Sequence, residues 1–352
     1  MYRVAIIGAG IGAEHLAGYK TLPDRFEVAC VCDLNAVRGQ ELADANDVGF
    51  TTDFAAVLAD DSIDIVDVCL PPHLHFQSSM DALEAGKHVV CEKPLVASVR
   101  DADLLLKAAE RTGKNLFPVF QYRYGIGTAQ LQALQEAGLA GKLYAGSIET
   151  HWNRDAEYYA VDWRGTWAGE RGGAILGHAI HIHDFLPAFL GPVAQVYADL
   201  GTRVNDIEVE DCAALSIRLE SGALLTSSVT LGCATDYSHM RLMFEGFTVE
   251  SSTSPYAPAA EAWSFVARSP KTQEQIDAVL ESVDPALTGF PGLFAAMADA
   301  LDGKGGREVT ALDGRRSLEF VTAVYASSRS NLPVKLPLGS DHPLYNGWLP
   351  TS

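Results

Sequence analysis

Within its first 33 residues the chain sets an apolar run, a glycine-rich turn, a helix start and a second apolar run closed by an acid, and few folds accept that order. Val4-Ala5-Ile6-Ile7 leads directly into Gly8-Ala9-Gly10-Ile11-Gly12-Ala13, which fits G-x-G-x-x-G/A with Ala13 in the last place. Glu14 to Lys20 can begin a helix. Glycines here let the main chain turn sharply and approach a pyrophosphate, whose charge the amides and dipole of the helix start then hold. Gly8, Gly10, Ile11 and Gly12 are therefore candidate dinucleotide contacts. The second run, Phe26–Cys32, ends at Asp33, 21 residues after Gly12. An acid at that place accepts hydrogen bonds from the ribose hydroxyls of NAD and repels the 2′-phosphate of NADP. Leu34 and Asn35 supply no cation for such a phosphate, and Arg38 is the one nearby that could reach it. NAD is expected, with NADP the weaker alternative.

The same rhythm repeats. Ile63–Leu70 reads as a strand, Pro71-Pro72-His73-Leu74-His75 as a turn, Phe76–Ala85 as a helix, and His88-Val89-Val90-Cys91 as a buried parallel strand. Prolines at a helix start usually carry no chemistry, but Pro71 lies at a strand end beside the expected cofactor. Open α/β sheets bind ligands at the carboxyl ends of their strands, which is where Glu92-Lys93-Pro94 emerges. A lysine so placed is poorly explained as a surface ion pair with Glu92.

Helical patterning over Val99–Ala109 and a strand at Asn115–Phe120 close the first domain, and Gln121–Tyr124 begin the crossing to the second. Beyond it, a helix around Thr128–Ala137 precedes strand-like runs at Ala145–His151, Val193–Asp199, Ala213–Leu219 and Ala223–Leu231, the last two joined by a Glu220-Ser221-Gly222 turn. Their alternation suits a sheet with one covered face. A final helix is expected over Gly314–Ser330. The segment Arg171–Asp184 holds His178, His181, His183 and Asp184 behind Gly172 and Gly173. On a helix His178 and His181 share a face, as do His181 and Asp184, while His183 points elsewhere. A metal lacks a clear third ligand here. Between His151 and Arg164 aromatic and polar groups crowd together, and aromatic faces with charged neighbours suit a sugar, so Tyr159, Trp163 and Arg164 are substrate-side candidates.

Composition narrows the partners. A chain of 352 residues exceeds one comfortable core. With 26 basic against 45 acidic residues the formal charge is −19, which argues against nucleic acid or an anionic membrane. No stretch approaches a membrane span, and no basic-then-apolar leader opens the chain, so a soluble cytoplasmic protein is expected. Six cysteines without a Cys-x-x-Cys pair read as buried thiols.

Three segments together resemble the successive motifs of the Gfo/Idh/MocA oxidoreductase family: Gly8 to His15, Pro71 to His75, and Ala82 to Pro94 with its Glu-Lys-Pro. The similarity continues through Gln121-Tyr122-Arg123-Tyr124, Glu210-Asp211-Cys212-Ala213 and Leu332 to Pro337. The resemblance implies an α/β protein with an N-terminal Rossmann domain (1–122) and a C-terminal α/β domain (123–352) whose large, mostly antiparallel open sheet carries the substrate site and oligomer contact. A homodimer or homotetramer is the assembly it implies. It also implies hydride transfer between a nicotinamide and a secondary alcohol or carbonyl of a sugar, sugar derivative or cyclitol. Cofactor contacts then fall on Gly8, Gly10, Ile11, Gly12, Asp33, Pro71, His75, Glu92, Lys93 and Arg123. Substrate contacts fall on Lys93, Tyr159, Trp163, Arg164, His178 and His181. His181 takes the place of the family's catalytic histidine, and Asp184 that of its later aspartate. Gly177 stands where the family has an earlier aspartate, and His178 is placed to supply the lost polar contact. Removing a hydroxyl proton as hydride leaves needs a base in reach of that oxygen, so His181 is the candidate base, and Lys93 is either the charge that steadies the alkoxide or a member of the proton relay. Two alternatives remain: a glycoside-processing reaction by transient oxidation that leaves NAD unconsumed, and a non-catalytic dinucleotide sensor.

Overall fold

The computed structural model describes residues 1–350. The first unit is built from β1 (Tyr2–Ile7), α1 (Gly12–Lys20), β2 (Phe26–Cys32), α2 (Ala36–Asn46), β3 (Gly49–Thr51), α3 (Phe54–Ala59), β4 (Ile65–Val68), α4 (His75–Glu84), β5 (His88–Cys91), α5 (Val99–Thr112) and β6 (Leu116–Pro118). Its six strands lie in the order β3-β2-β1-β4-β5-β6, every pairing parallel. Helices cover both faces of such a sheet, which is why its strands read as unbroken apolar runs: Val4, Ala5, Ile6, Val66, Val89 and Val90 are all fully buried. The strand order reverses between β1 and β4, and the glycine turn sits at the carboxyl end of β1. That switch point is where open α/β sheets take their ligands.

The second unit comprises α6 (Ile126–Glu136), β7 (Leu143–Asn153), α7 (Ile180–Phe185), β8 (Val193–Gly201), β9 (Cys212–Leu219), β10 (Leu224–Thr230), β11 (Gly232–Phe244), β12 (Phe247–Glu250), β13 (Ser264–Ala267), α8 (Gln273–Glu281) and β14 (Val334–Lys335). The eight strands run β13-β12-β11-β7-β10-β9-β8-β14, antiparallel throughout except for β7 beside β10. The expected alternation holds: Ala213, Leu215, Ile217 and Leu219 are buried while Ala214, Ser216 and Arg218 face outward. Gly222 takes a positive φ of 90° in the turn between β9 and β10, a conformation that suits glycine.

The boundary differs from the two continuous segments expected, 1–122 and 123–352. Met1–Val119 is joined by Phe290–Leu318, while Phe120–Gly289 and the stretch from Glu319 onward form the second unit. The return is aromatic in origin. Phe290 and Phe294, on α9 (Gly289–Leu301), pack against α1: Phe294 stacks on Tyr19 with centroids 3.8 Å apart, and a Cβ at Gly18 would come within 2.9 Å of Phe294. Glycine at 18 thus lets the two helices approach. The last helix, α10 (Ala311–Ser330), begins in the first unit and ends in the second.

Candidate active site

The glycine turn offers open donors. A Cβ at Gly8, whose φ is 105°, would lie 2.4 Å from the Cys69 carbonyl oxygen, so only glycine fits there. A Cβ at Gly10 would meet nothing within 4 Å. The amides of Gly10 and Ile11 donate to no protein acceptor among the described residues. Uncovered amides at a helix start suit a pyrophosphate. Asp33 lies beside them: Oδ2 accepts the Ala9 amide at 2.7 Å, Oδ1 accepts the Asn35 amide at 2.7 Å, and Arg38 Nη2 donates to the carboxylate at 2.8 and 3.0 Å. Burial works to raise this carboxyl, but the two amides and the guanidinium outweigh it and hold it below its ordinary value. Arg38 pairs with Asp33, and its side chain is 55% exposed. These residues fit an NAD ribose and pyrophosphate.

Lys93 follows β5 by two residues and is half-buried. The Glu92 amide donates to the Val68 carbonyl, which extends the β4–β5 ladder up to the motif. Glu92 Oε2 then accepts the Lys93 amide at 2.9 Å. Pro71 precedes a short 3-10 turn, Pro72–Leu74. His75, fully buried, places its ring nitrogens 2.7 Å from the carbonyl oxygens of Leu70 and Pro94. It therefore sits between the end of β4 and the Glu-Lys-Pro turn; burial pushes its pKa down, and the neutral ring donates to one of the two carbonyls.

In the second unit the histidine segment is not a plain α-helix. Wide π turns at Ile175–Ala179 and Leu186–Leu190 flank α7. Such turns recur at functional sites because they re-aim side chains. His178 is 6% exposed, and its Nε2 is 3.4 Å from the Tyr158 hydroxyl. His181 is 4% exposed and lies parallel to Tyr122, centroids 4.4 Å apart. His183 turns away from both and hydrogen-bonds Ser227 Oγ at 2.8 Å, with burial lowering its pKa to about 3. A Cβ at Gly177 would meet nothing within 4 Å, so the site accepts a Cβ. Arg123, expected at the cofactor, forms a two-pronged ion pair with buried Asp184, Nε to Oδ2 at 2.5 Å and Nη2 to Oδ1 at 2.6 Å.

The helix start is set by a residue that sequence reading singled out only as part of a motif. Glu210 accepts the amides of Gly173 (3.2 Å) and Ile175 (3.1 Å), and the Tyr325 hydroxyl donates to it at 3.0 Å. A Cβ at Gly173 would fall 1.9 Å from the Glu210 carbonyl oxygen. Burial raises the Glu210 carboxyl to about 7 against these hydrogen bonds.

Around His178 the expected sugar-side residues are in part brought together. Trp152 meets its ring edge-on at 5.3 Å, Arg164 stacks on Tyr158 at 3.9 Å, and Tyr159 contacts Tyr158 at 4.9 Å. Trp163 sits under Arg164, 5.4 Å from its guanidinium. Arg154, which lies over the same Tyr158, pairs with Asp236 at 3.0 Å. Arg164 donates to the Tyr158 carbonyl and has no carboxylate partner among the described residues.

His15, Asp67 and Cys69 in the first unit have ligand atoms within 4.8 Å of one another. His15 Nδ1 is already 2.8 Å from Asp67 and 3.3 Å from Cys69, however. Tetrahedral zinc with nitrogen and oxygen ligands spaces them by about 3.3 Å, so the histidine and aspartate are in direct hydrogen-bond contact instead. Burial also pushes the Cys69 thiol up.

A parallel sheet ordered β3-β2-β1-β4-β5-β6 with a glycine turn at its switch point defines a Rossmann dinucleotide-binding protein, here with a mostly antiparallel second domain. Residues 2–120 match the family described as oxidoreductase family, NAD-binding Rossmann fold, and residues 128–249 match the GFO/IDH/MocA C-terminal domain. The chain belongs to the Gfo/Idh/MocA family. It is 30% identical over 226 residues to the uncharacterized oxidoreductase YrbE of Bacillus subtilis, covering 62% of this chain and 64% of that protein. It is 35% identical over 144 residues to D-glucoside 3-dehydrogenase of Escherichia coli, covering 40% and 41%. These matches span less than two thirds of either relative. Among solved structures, the WlbA dehydrogenase of Bordetella pertussis, in complex with NADH and UDP-GlcNAcA, superposes with a TM-score of 0.84 at 28% identity over 96% of this chain and 99% of that one. No helix among the described residues is long and apolar enough to cross a membrane.

Proposed function

We propose that this chain is an NAD-dependent dehydrogenase acting on a secondary alcohol of a sugar, sugar derivative or cyclitol, with Lys93 and His181 as its proton-transfer pair. The observation that carries the reading is the setting of His181: a buried imidazole held against Tyr122, on a helix whose next turn Arg123 braces through Asp184. A fixed imidazole suits a general base, since the proton it removes must lie within hydrogen-bond reach. Lys93, at the carboxyl end of β5, supplies the cation that steadies the developing alkoxide. Bound NAD supplies the hydride acceptor. Asp33 favours NAD over NADP, because its carboxylate accepts ribose hydroxyls and repels a 2′-phosphate.

The substrate in this reading carries an anionic group, a carboxylate or phosphate. Arg164 supports this, for it is a guanidinium without a carboxylate partner beside the Tyr158–His178 contact, and its planar fork matches such anions. The sugar acid bound in the WlbA structure is of the same chemical kind. The outward face of the second sheet, with Ala214, Ser216, Thr226 and Ser228 exposed, is the surface through which a homo-oligomer would form.

The test is NADH production, read by absorbance, from a panel of neutral aldoses, inositols, uronates and nucleotide-linked sugar acids. Turnover with the acidic members that weakens in Arg164→Gln by a rise in KM supports the reading. Turnover confined to neutral sugars contradicts the anionic substrate, and silence despite NAD binding turns the assignment toward a redox-neutral glycoside reaction or a sensor.

A further inference from the structure

A line of buried groups in the first unit ends at Lys93. The Nδ1 of His15 is 2.8 Å from Oδ2 of Asp67, and its Nε2 is 3.1 Å from Oε1 of Glu92. The second oxygen of Glu92 accepts the Lys93 amide at 2.9 Å. His15 and Asp67 are 0% exposed and Glu92 is 5% exposed. Phe290 and Phe294 flank the imidazole at 4.5 and 5.5 Å.

We propose that His15 is a positioning residue for Lys93: gripped by Asp67, it holds the Glu92 carboxylate in the orientation that receives the Lys93 amide, and so ties the helix of the glycine turn to the strand end that carries the lysine. Ionised carboxylates only accept hydrogen bonds, so a ring that faces two of them donates from both nitrogens and is charged. Burial opposes that charge, yet Asp67, together with Cys69 beside the same nitrogen, outweighs it and keeps the His15 pKa well above the ordinary value. Stability alone is a weak reason for the trio, since well-packed apolar residues often replace buried ion pairs without loss. Its placement gives a better one. His15 lies three residues past Gly12 on α1, so the helix that presents open amides at the glycine turn also reaches Glu92 one turn later.

The proposal rests on Lys93 acting in catalysis, and its test therefore reads the lysine as well as the reaction. Competitive acetylation followed by mass spectrometry gives the titration of Lys93 without substrate. In a folded His15→Gln protein whose NADH affinity, read by fluorescence, stays within about threefold of wild type, the Lys93 titration is expected to move by about 1 pH unit. Turnover on an identified substrate is expected to fall about 10- to 100-fold, chiefly in kcat. Glu92→Gln, which keeps the side-chain shape, is the second variant, with the same expectation for the lysine. An unchanged Lys93 titration and kcat in either folded variant overturns the proposal. Failure of both variants to fold overturns it too, because it makes the trio structural. Wild-type turnover in Lys93→Ala overturns the catalytic reading of the lysine instead, and the acetylation curves still decide the positioning claim.

Discussion

Arg123 meets Asp184 through two near-parallel hydrogen bonds of 2.5 and 2.6 Å, with the carboxylate 0% exposed and the guanidinium 10%. The pair joins the residue next to Tyr122, which stacks on His181, to the residue three places after that histidine. It thereby ties together the two segments that carry the stacked Tyr122 and His181.

Arg123→Ala removes the ion-pair partner of a buried carboxylate, which costs about 3–5 kcal/mol. Arg123→Lys keeps the charge but not the fork, and a smaller loss is expected. Chemical denaturation measures both. The double change Arg123→Met with Asp184→Leu is expected to recover most of the stability without recovering turnover.

Glu210 makes stability depend on pH. Its folded value of about 7 exceeds the ordinary 4.5, so the native chain holds a proton that the unfolded chain releases. Its contribution is complete below pH 4.5 and is lost as pH rises through about 7. Melting temperatures of Glu210→Gln at pH 5.5 and 8 should differ by less than those of the wild type. Gln still accepts one helix amide but leaves the other opposed, so the variant is less stable at both pH values by about 1–3 kcal/mol.

The cofactor preference lies in the Asp33–Arg38 pair. Asp33→Ser removes the acceptor of ribose hydroxyls and frees Arg38, 2.8 Å away, to meet a 2′-phosphate. Fluorescence titration should show NADH affinity lowered about tenfold and the NADH-over-NADPH preference narrowed or reversed. An unchanged ratio removes Asp33 from the cofactor site.

Gly177 stands in open space, so Gly177→Asp should fold. Glycine inside a helix is costly by about 0.5–1 kcal/mol, and the variant should be no less stable than wild type. Its effect belongs in substrate choice: an added carboxylate near His178 should weaken acidic sugars more than neutral ones, read as a ratio of kcat/KM values.

The Rossmann half was legible because its signals are local. Strands buried on both faces are apolar runs, and His88–Cys91 and Phe26–Cys32 were readable to the residue. β3, three residues long, and β11, whose polar Asp236, Ser238 and Arg241 break the apolar pattern, were not. Tertiary pairing with β2 and β7 makes them strands. The return of Phe290–Leu318 to the first unit depends on aromatic contacts with α1, which no spacing reveals. Of the site, the glycine turn, Lys93 and the histidine segment were visible as motifs. The supports behind them were not: Glu210 and Tyr325 lie far in sequence from the helix they hold, and the π turns leave no pattern of their own. Asp67 carried one signal, a carboxylate inside an otherwise apolar strand, and His15 gains meaning only from the partner that strand brings to it.

The central claim is tested most directly by kcat of Lys93→Ala at saturating NAD and substrate, with NADH affinity measured alongside. The account expects a loss of about 100- to 10,000-fold in kcat, the usual scale for a group acting on a proton in flight, with NADH affinity changed far less. Turnover equal to wild type at unchanged NADH affinity would contradict it.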